Sequence, residues 1–187
     1  MRFHRSGRHD GAVLPQVLKG RLLVATPPLA DPNFDRTVVL MLEHTDGGAL
    51  GVVLNRPGER PASDVLPAWE AQLVEPDTLF EGGPVEVDAV IGLAPDGDSV
   101  VPSVVDLSIE PTDQDPPCPA VRLFHGYAGW GPGQLEGELE AGAWLVVDPE
   151  HDDPFTVDPG GLWRAVLRRQ PGRLAWLAHF PDDVHAN

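Results

Sequence analysis

The sequence is short of the groups on which most protein chemistry is built. Cysteine occurs once in 187 residues, at Cys118, which excludes an internal disulfide and an all-cysteine metal cage and suits a reducing cytoplasm. Lysine also occurs once, at Lys19, and Lys+Arg total 13 against 29 Asp+Glu, for a formal net charge of −16. Duplex binding draws its affinity from phosphates neutralised by Lys and Arg, so this balance opposes nucleic acid as a direct partner. Basic residues gather only at Arg2, Arg5 and Arg8, and at Arg164, Arg168, Arg169 and Arg173; they read as a tail and a solvated helix face. No apolar run approaches the roughly 18 residues of a membrane span, and no apolar core follows the basic N-terminus as in an export signal. The expectation is a soluble, cytoplasmic protein with no membrane partner.

Catalytic and metal signatures are equally sparse. There is no G-x-S-x-G elbow, and Cys118 lies among prolines rather than at a helix start that would lower its pKa. His151-Asp152-Asp153 has no second histidine at ligand spacing, so it reads as a solvated turn, and no metal or cofactor is expected. No internal repeat occurs.

What is present is the material of one domain, long enough to bury about 70% of its unfolded surface. Pro and Gly number 21 and 20, which implies many turns. Residues 1–17 and 181–187 read as tails around a single domain, 18–180. Within it, Leu22 to Ala25 and Thr37 to Leu42 read as buried strands. Asp46-Gly47-Gly48 is a tight connection to a partner strand, Ala49 to Leu54, which Asn55-Arg56-Pro57-Gly58 stops. Ser63 caps a short helix carrying Val65, Leu66, Trp69 and Leu73, curtailed by Pro67. Glu81-Gly82-Gly83-Pro84 turns the chain into a strand at Val85 to Leu93, and residues 95–120 form a loop-rich insertion holding one strand. Asp158 caps a helix that buries Leu162, Trp163, Val166 and Leu167, with Arg168 and Arg169 in its last turn, and Leu174 to Phe180 closes the domain as a strand.

The stretch from His125 to Val147 concentrates glycine and tryptophan. Glycines at 126, 129, 131 and 133 follow the apolar run Val121 to Phe124, and Pro132 stands where a helix would begin. This predicts strand, glycine turn and helix, with Leu135 and Leu139 on one helix face and Gly142 ending it in a left-handed conformation. Such a turn can aim backbone N–H groups at an anion. Against that, the loop lacks a Walker lysine and hydroxyl, and Glu136 in the first helical turn competes for the same positive end. Short strands with few, singly placed helices make an α+β domain with a curved or barrel-like, mostly antiparallel sheet.

Three blocks carry a family resemblance: LKGRLLVATPPLADPNFDRTVVLMLEHTDGGALGVVLNRP from Leu18 to Pro57, FEGGPV from Phe80 to Val85, and GYAGWGPGQLEGELEAGAWLV from Gly126 to Val146. Together they resemble the YqgE/AlgH family of bacterial proteins. The resemblance implies a single α+β domain with a coiled, barrel-like, mostly antiparallel sheet and a few flanking helices. Of activity it implies little, beyond the proposed role in regulating alginate production from which AlgH takes its name. Positions matching the family pattern include Pro27, Phe34, His44, Gly48, Gly51, Asn55, Pro57, Gly82, Gly83, Pro84, Gly126, Gly129, Trp130, Gly133, Gln134, Leu135 and Glu136. The chain departs from the pattern in its Pro- and Asp-rich 95–120 insertion, and at His125, where an aliphatic residue is expected.

Three functional readings follow. The first is a non-enzymatic binding or regulatory module whose partner is a small molecule or a protein, with His44, Asn55, Glu81, Gly82, Gly83, Gly126, Gly129, Trp130, Gly133, Gln134 and Glu136 on one motif face. Glycines, prolines and tryptophans with no reactive triad suit recognition. The second is a hydrolase-type enzyme using His44 with Glu81 or Glu136. Each residue also has a plain structural alternative: His44 capping a strand end, Glu81 simply exposed, Asn55 holding a turn. A DNA-linked transcriptional regulator comes third, disfavoured by the acidic charge.

Overall fold

The computed structural model describes residues 18–27, 29 and 31–179. The expected tails, and Arg2, Arg5 and Arg8 with them, lie outside the described residues.

Nine strands make one sheet: β1 (Leu22–Ala25), β2 (Val38–Thr45), β3 (Gly48–Val53), β4 (Pro57–Pro61), β5 (Thr78–Glu81), β6 (Val85–Asp96), β7 (Ser99–Val105), β8 (Arg122–Trp130) and β9 (Trp144–Val147). The main path runs β4-β5-β8-β3-β2-β1-β9, with β6 pairing to β8 and carrying β7 outside it. Every strand pair is antiparallel except β5 with β8. The mostly antiparallel α+β architecture is the expected one. The sheet is open, with β4 and β9 as the ends of the path, so the curvature does not close a barrel.

Burial explains the strand sequences. All four residues of β1 are buried, which requires cover on both faces. Leu22 and Val24 join a core with Val38, Leu40, Phe80 and Phe124. That face is covered by α2 (Leu162–Arg168), whose Leu162, Trp163, Val166 and Leu167 are the predicted stripe. The Trp163 indole N–H donates to the Ala25 carbonyl at 2.8 Å, tying helix to strand. Leu23 and Ala25 point the other way, into a second core with Met41, Trp130, Leu135 and Trp144. A third, smaller core holds Trp69, Leu79 and Leu123 under the segment 62–72.

Several expectations are corrected. The predicted glycine turn is strand: β8 runs through Gly126 and Gly129 to Trp130, so only Gly131, Pro132 and Gly133 turn before α1 (Gln134–Glu140). Amides engaged in a ladder cannot cradle an anion, and α1 has only seven residues. The partner strand does stop where expected, at Val53, but Pro57 then opens a further, unexpected edge strand, β4. The helix predicted at Ser63 is a pair of 3₁₀ segments, Ala62–Asp64 and Pro67–Gln72, preceded by Pro61 and Leu66 with no side-chain cap. Here Pro67 removes the N–H that a continuous helix would need. The predicted closing strand is a 3₁₀ segment, Gly172–His179, packed on α2 through Ala178 and Leu177.

The acidic turn 148–153 is not wholly solvated either. Asp153 is buried and bound bidentately by Arg169, with Nη1 to Oδ1 at 2.7 Å and Nη2 to Oδ2. Arg169 is therefore an internal clamp rather than a free cation on the dipole. Arg122, at the start of β8, is 1% exposed and lies over the Phe80 ring, donating to the Pro154 and Thr156 carbonyls at 3.2 and 2.9 Å. Burial pushes its guanidinium down to about 10, still charged at neutral pH.

Candidate functional site

The motif residues separate into two clusters. The first surrounds α1. The His44 ring, on β2, accepts a hydrogen bond from the Leu18 N–H through Nδ1 at 3.2 Å. That places its proton on Nε2, which donates to Glu136 Oε1 at 2.9 Å. Only 8% of the His44 side chain is exposed. The Glu136 carboxyl is held below its ordinary value by its own backbone N–H and by the His44 ring. Gln134 bridges the turn, accepting from the Gly131 N–H at 3.1 Å and donating to Glu138 Oε1 at 3.0 Å. Glu138 Oε2 in turn accepts from both indoles, Trp130 at 2.9 Å and Trp144 at 2.7 Å. Phe34 stacks on Trp130 and meets Trp144 edge-on, completing an aromatic cluster. Gly133 takes the left-handed conformation before the helix. Beside the cluster, a cavity of about 430 Å³ is lined by Glu43, Thr45, Gly48, Tyr127, Gly129 and Trp130; His44 and Glu136 do not reach it.

The second cluster surrounds the crossing of the β5–β6 connection over β8. Gly82, Gly83 and Gly126 pack backbone against backbone: a Cβ on Gly82 would meet the Gly126 carbonyl at 2.4 Å, and one on Gly126 the Gly83 carbonyl at 2.4 Å. Contact this close tolerates only glycine. Nearby, Asn55 is buried in a structural role, its Oδ1 accepting from the Val38 N–H at 2.9 Å and its Nδ2 donating to the Arg36 carbonyl at 2.8 Å. It holds a turn, the plainer of the two readings open to it.

Glu81 and His125 stand apart from these satisfied groups. They pair in parallel register between β5 and β8, and Val90 of β6 lies across His125 from the other side, so the three side chains share one sheet face. Both, with Val87, touch a cavity of about 660 Å³ and a smaller one of about 270 Å³. They mark the waist of a two-lobed groove. Between Val85, paired with Tyr127, and Val90, paired with His125, β6 breaks register, which carries Val87 and Asp88 out as the groove's outer wall. Arg56 and Asn33 line the small lobe; Glu59, Arg60 and Asp88 line the large one. Glu81 and His44 lie in different clusters.

A family model described as AlgH-like matches residues 22–175. The chain belongs to the AlgH-like family. A UPF0301 protein of Streptomyces avermitilis is 50% identical over 184 residues, covering 91% of this chain and 95% of that protein. Among solved structures, the crystal structure of DIP2367 from Corynebacterium diphtheriae has a TM-score of 0.77 at 31% identity, over 86% of this chain and 91% of that one. The solution structure of AlgH from Pseudomonas aeruginosa has a TM-score of 0.65 at 28% identity, over 97% and 100% respectively. The AlgH-like motif blocks now have physical content. FEGGPV and the start of GYAGW supply the interlocked glycines, and the rest of the third block supplies the helix that joins two indoles to one carboxylate.

Among the described residues, no group of three or more His, Cys, Asp or Glu could hold a metal ion, and no helix is long and apolar enough to cross a membrane. Burial pushes the Cys118 thiol up, away from reactivity. Sequence reasoning passed over Glu138, Arg56 and Asp88. Glu138 had a signal, an acid four residues after Gln134 between two tryptophans; Asp88 had none, because its placement follows from a break in register.

Proposed function

We propose that this AlgH-like protein is a non-enzymatic, cytoplasmic binding or regulatory module that receives its partner in the groove over β4, β5, β8 and β6. One contrast carries this reading. The polar motif residues around α1 are consumed by internal hydrogen bonds, whereas the side chains of Glu81 and His125 line an open cavity of about 660 Å³ and have no hydrogen-bond partner among the described residues. The groove lining contains no serine, threonine or cysteine to act as a nucleophile.

The hydrolase reading loses ground to the same geometry. A general base needs a free lone pair, and the single lone pair on the neutral His44 ring already accepts from Leu18. The acidic charge continues to oppose a DNA-linked role.

Peptide display provides the test. A phage library of random heptapeptides is selected against the wild-type protein, and the selected peptides are titrated against Val87→Trp. Val87 is 53% exposed and belongs to none of the three cores, so an indole there fills the waist of the groove without disturbing the packing. The expected result is at least a tenfold loss of affinity in the variant. Selected peptides that bind Val87→Trp as well as wild type would remove the groove as the docking site.

A further inference from the structure

The groove is asymmetric in charge, and the asymmetry specifies what it accepts. Three carboxylates, Glu59, Glu81 and Asp88, line the large lobe. All three side chains are exposed, and none has an ion-pair or hydrogen-bond partner among the described residues. A few acids are paired within the molecule, Asp153 with Arg169, Glu136 with His44 and Asp148 with Arg21, whereas these three unpaired ones converge on one cavity. The single arginine of the lobe, Arg60, turns its guanidinium to the Asp64 carbonyl at 3.2 Å, toward the 3₁₀ segment rather than to any of the three carboxylates. Counting His125 as neutral, the lobe carries three negative charges against one positive. Part of its wall is apolar: Leu79, a member of the third core, with Val65 and Val90 packed against that core.

Apolar side chains and unpaired carboxylates lining one cavity match a side chain with a long apolar stem and a cationic head, the amphipathic design of arginine and lysine. The second lobe gives the occupant length. It continues past the Glu81–His125 waist for another 270 Å³ or so, lined by Asn33 and by Arg56; Arg56 Nη2 donates to the Asp35 carbonyl at 2.6 Å, and its other guanidinium donors suit the backbone carbonyls of an occupant. Resting on the groove reading above, we infer that the occupant is an extended, basic segment of a partner protein, with an arginine or lysine in the large lobe and its backbone passing the waist toward Arg56. Charge complementarity decides the partner's chemistry: opposite potentials steer encounter and reject acidic competitors.

The closing experiment uses the full-length protein and three capped, dye-labelled pentapeptides read by fluorescence anisotropy at about 50 mM salt: Val-Arg-Val-Arg-Val, the same peptide with citrulline at both arginines, and the same with glutamate. Citrulline keeps the shape and removes the charge. The arginine peptide is expected to bind at least tenfold more tightly than the citrulline one, and the glutamate peptide not at all. Glu81→Gln/Asp88→Asn is expected to cut arginine-peptide affinity about tenfold, about 1.4 kcal/mol of binding free energy. Both positions are exposed, so the variant keeps the fold. Asp152→Asn removes an exposed charge outside the groove, beside His151, and is expected to change affinity less than twofold. Citrulline binding equal to arginine, with loss in Val87→Trp, would overturn the basic-segment assignment while leaving the groove in place. Equal weakening by Asp152→Asn would reduce the effect to net charge and overturn the assignment as well. Failure of all three peptides, together with failure of the display selection, would overturn both.

Discussion

Gly126 shows what the motif glycines contribute. Its φ is +63°, a left-handed backbone that a side chain resists, and the space a Cβ would take is occupied by the Gly83 carbonyl. Gly83 is held as firmly, its own Cβ position lying 2.2 Å from the Tyr127 carbonyl carbon. No flexible side-chain tip is involved, so the only relief is for strands to separate. Gly126→Ala is therefore expected to destabilise the fold by about 3 kcal/mol, combining left-handed strain with backbone displacement. At roughly 2–4 °C per kcal/mol for a domain of this size, thermal unfolding should fall by about 6–12 °C. Gly133→Ala is the control. It shares a left-handed φ of +73° but has no atom within 4 Å of its Cβ, and it should lose only about 1 kcal/mol. Equal losses at both positions would show that backbone conformation alone, not the interlock, is what selects glycine. That these positions need glycine was legible in the sequence. That they need it for an interlock and not for a turn was not, because the partner of Gly126 is more than 40 residues away along the chain.

At the scale of elements, local signals served where contacts are local. The hairpin of β2 and β3, the Asp158 side chain accepting from the Gly161 N–H ahead of α2, and left-handed Gly142 after α1 all follow from neighbours in sequence. The errors arose where tertiary pairing decides: β8 stays a strand through its glycines because β3 and β6 pair with it. His44 and Glu136 belong to the same class, 92 residues apart and joining β2 to α1. Their link sets a pH dependence. The Glu136 carboxyl has a folded-state pKa below its ordinary 4.5. Its contribution is therefore fully present above that value and is lost as pH falls through the lower folded-state value. Glu136→Gln keeps an acceptor for Nε2–H but cannot titrate. At neutral pH the variant is expected to be less stable by about 0.5 kcal/mol, the modest scale of a half-exposed pair. The two proteins should converge in urea midpoint as pH is lowered from about 5 to about 3. A gap that stays constant over that range would mean that the carboxylate charge contributes nothing and that the hydrogen bond alone ties α1 down.

The whole molecule carries sixteen more negative charges than positive ones over 187 residues. Few of its acids are neutralised locally: among the described residues, the salt bridges to Arg21, Arg169, His44 and His151 leave most carboxylates without an ion-pair partner. Repulsion of this kind opposes the compact state more than the expanded chain, because folding brings the charges closer together. At about 10 mM salt the Debye length is near 30 Å, longer than the separation of most surface charges in a domain this size; at about 0.15 M it is near 8 Å. Added sodium chloride over that range should therefore stabilise the fold and raise its unfolding midpoint by a few degrees, even though salt also weakens the Arg169–Asp153 clamp. The clamp involves a buried carboxylate and is screened less than the exposed acids, so repulsion governs the sign. A midpoint that falls as salt rises would show that specific ion pairs dominate over net charge. The same screening bears on the groove. A basic segment should associate fastest at low salt, where the molecule itself is least stable, so affinity and fold stability are expected to move in opposite directions along one salt series.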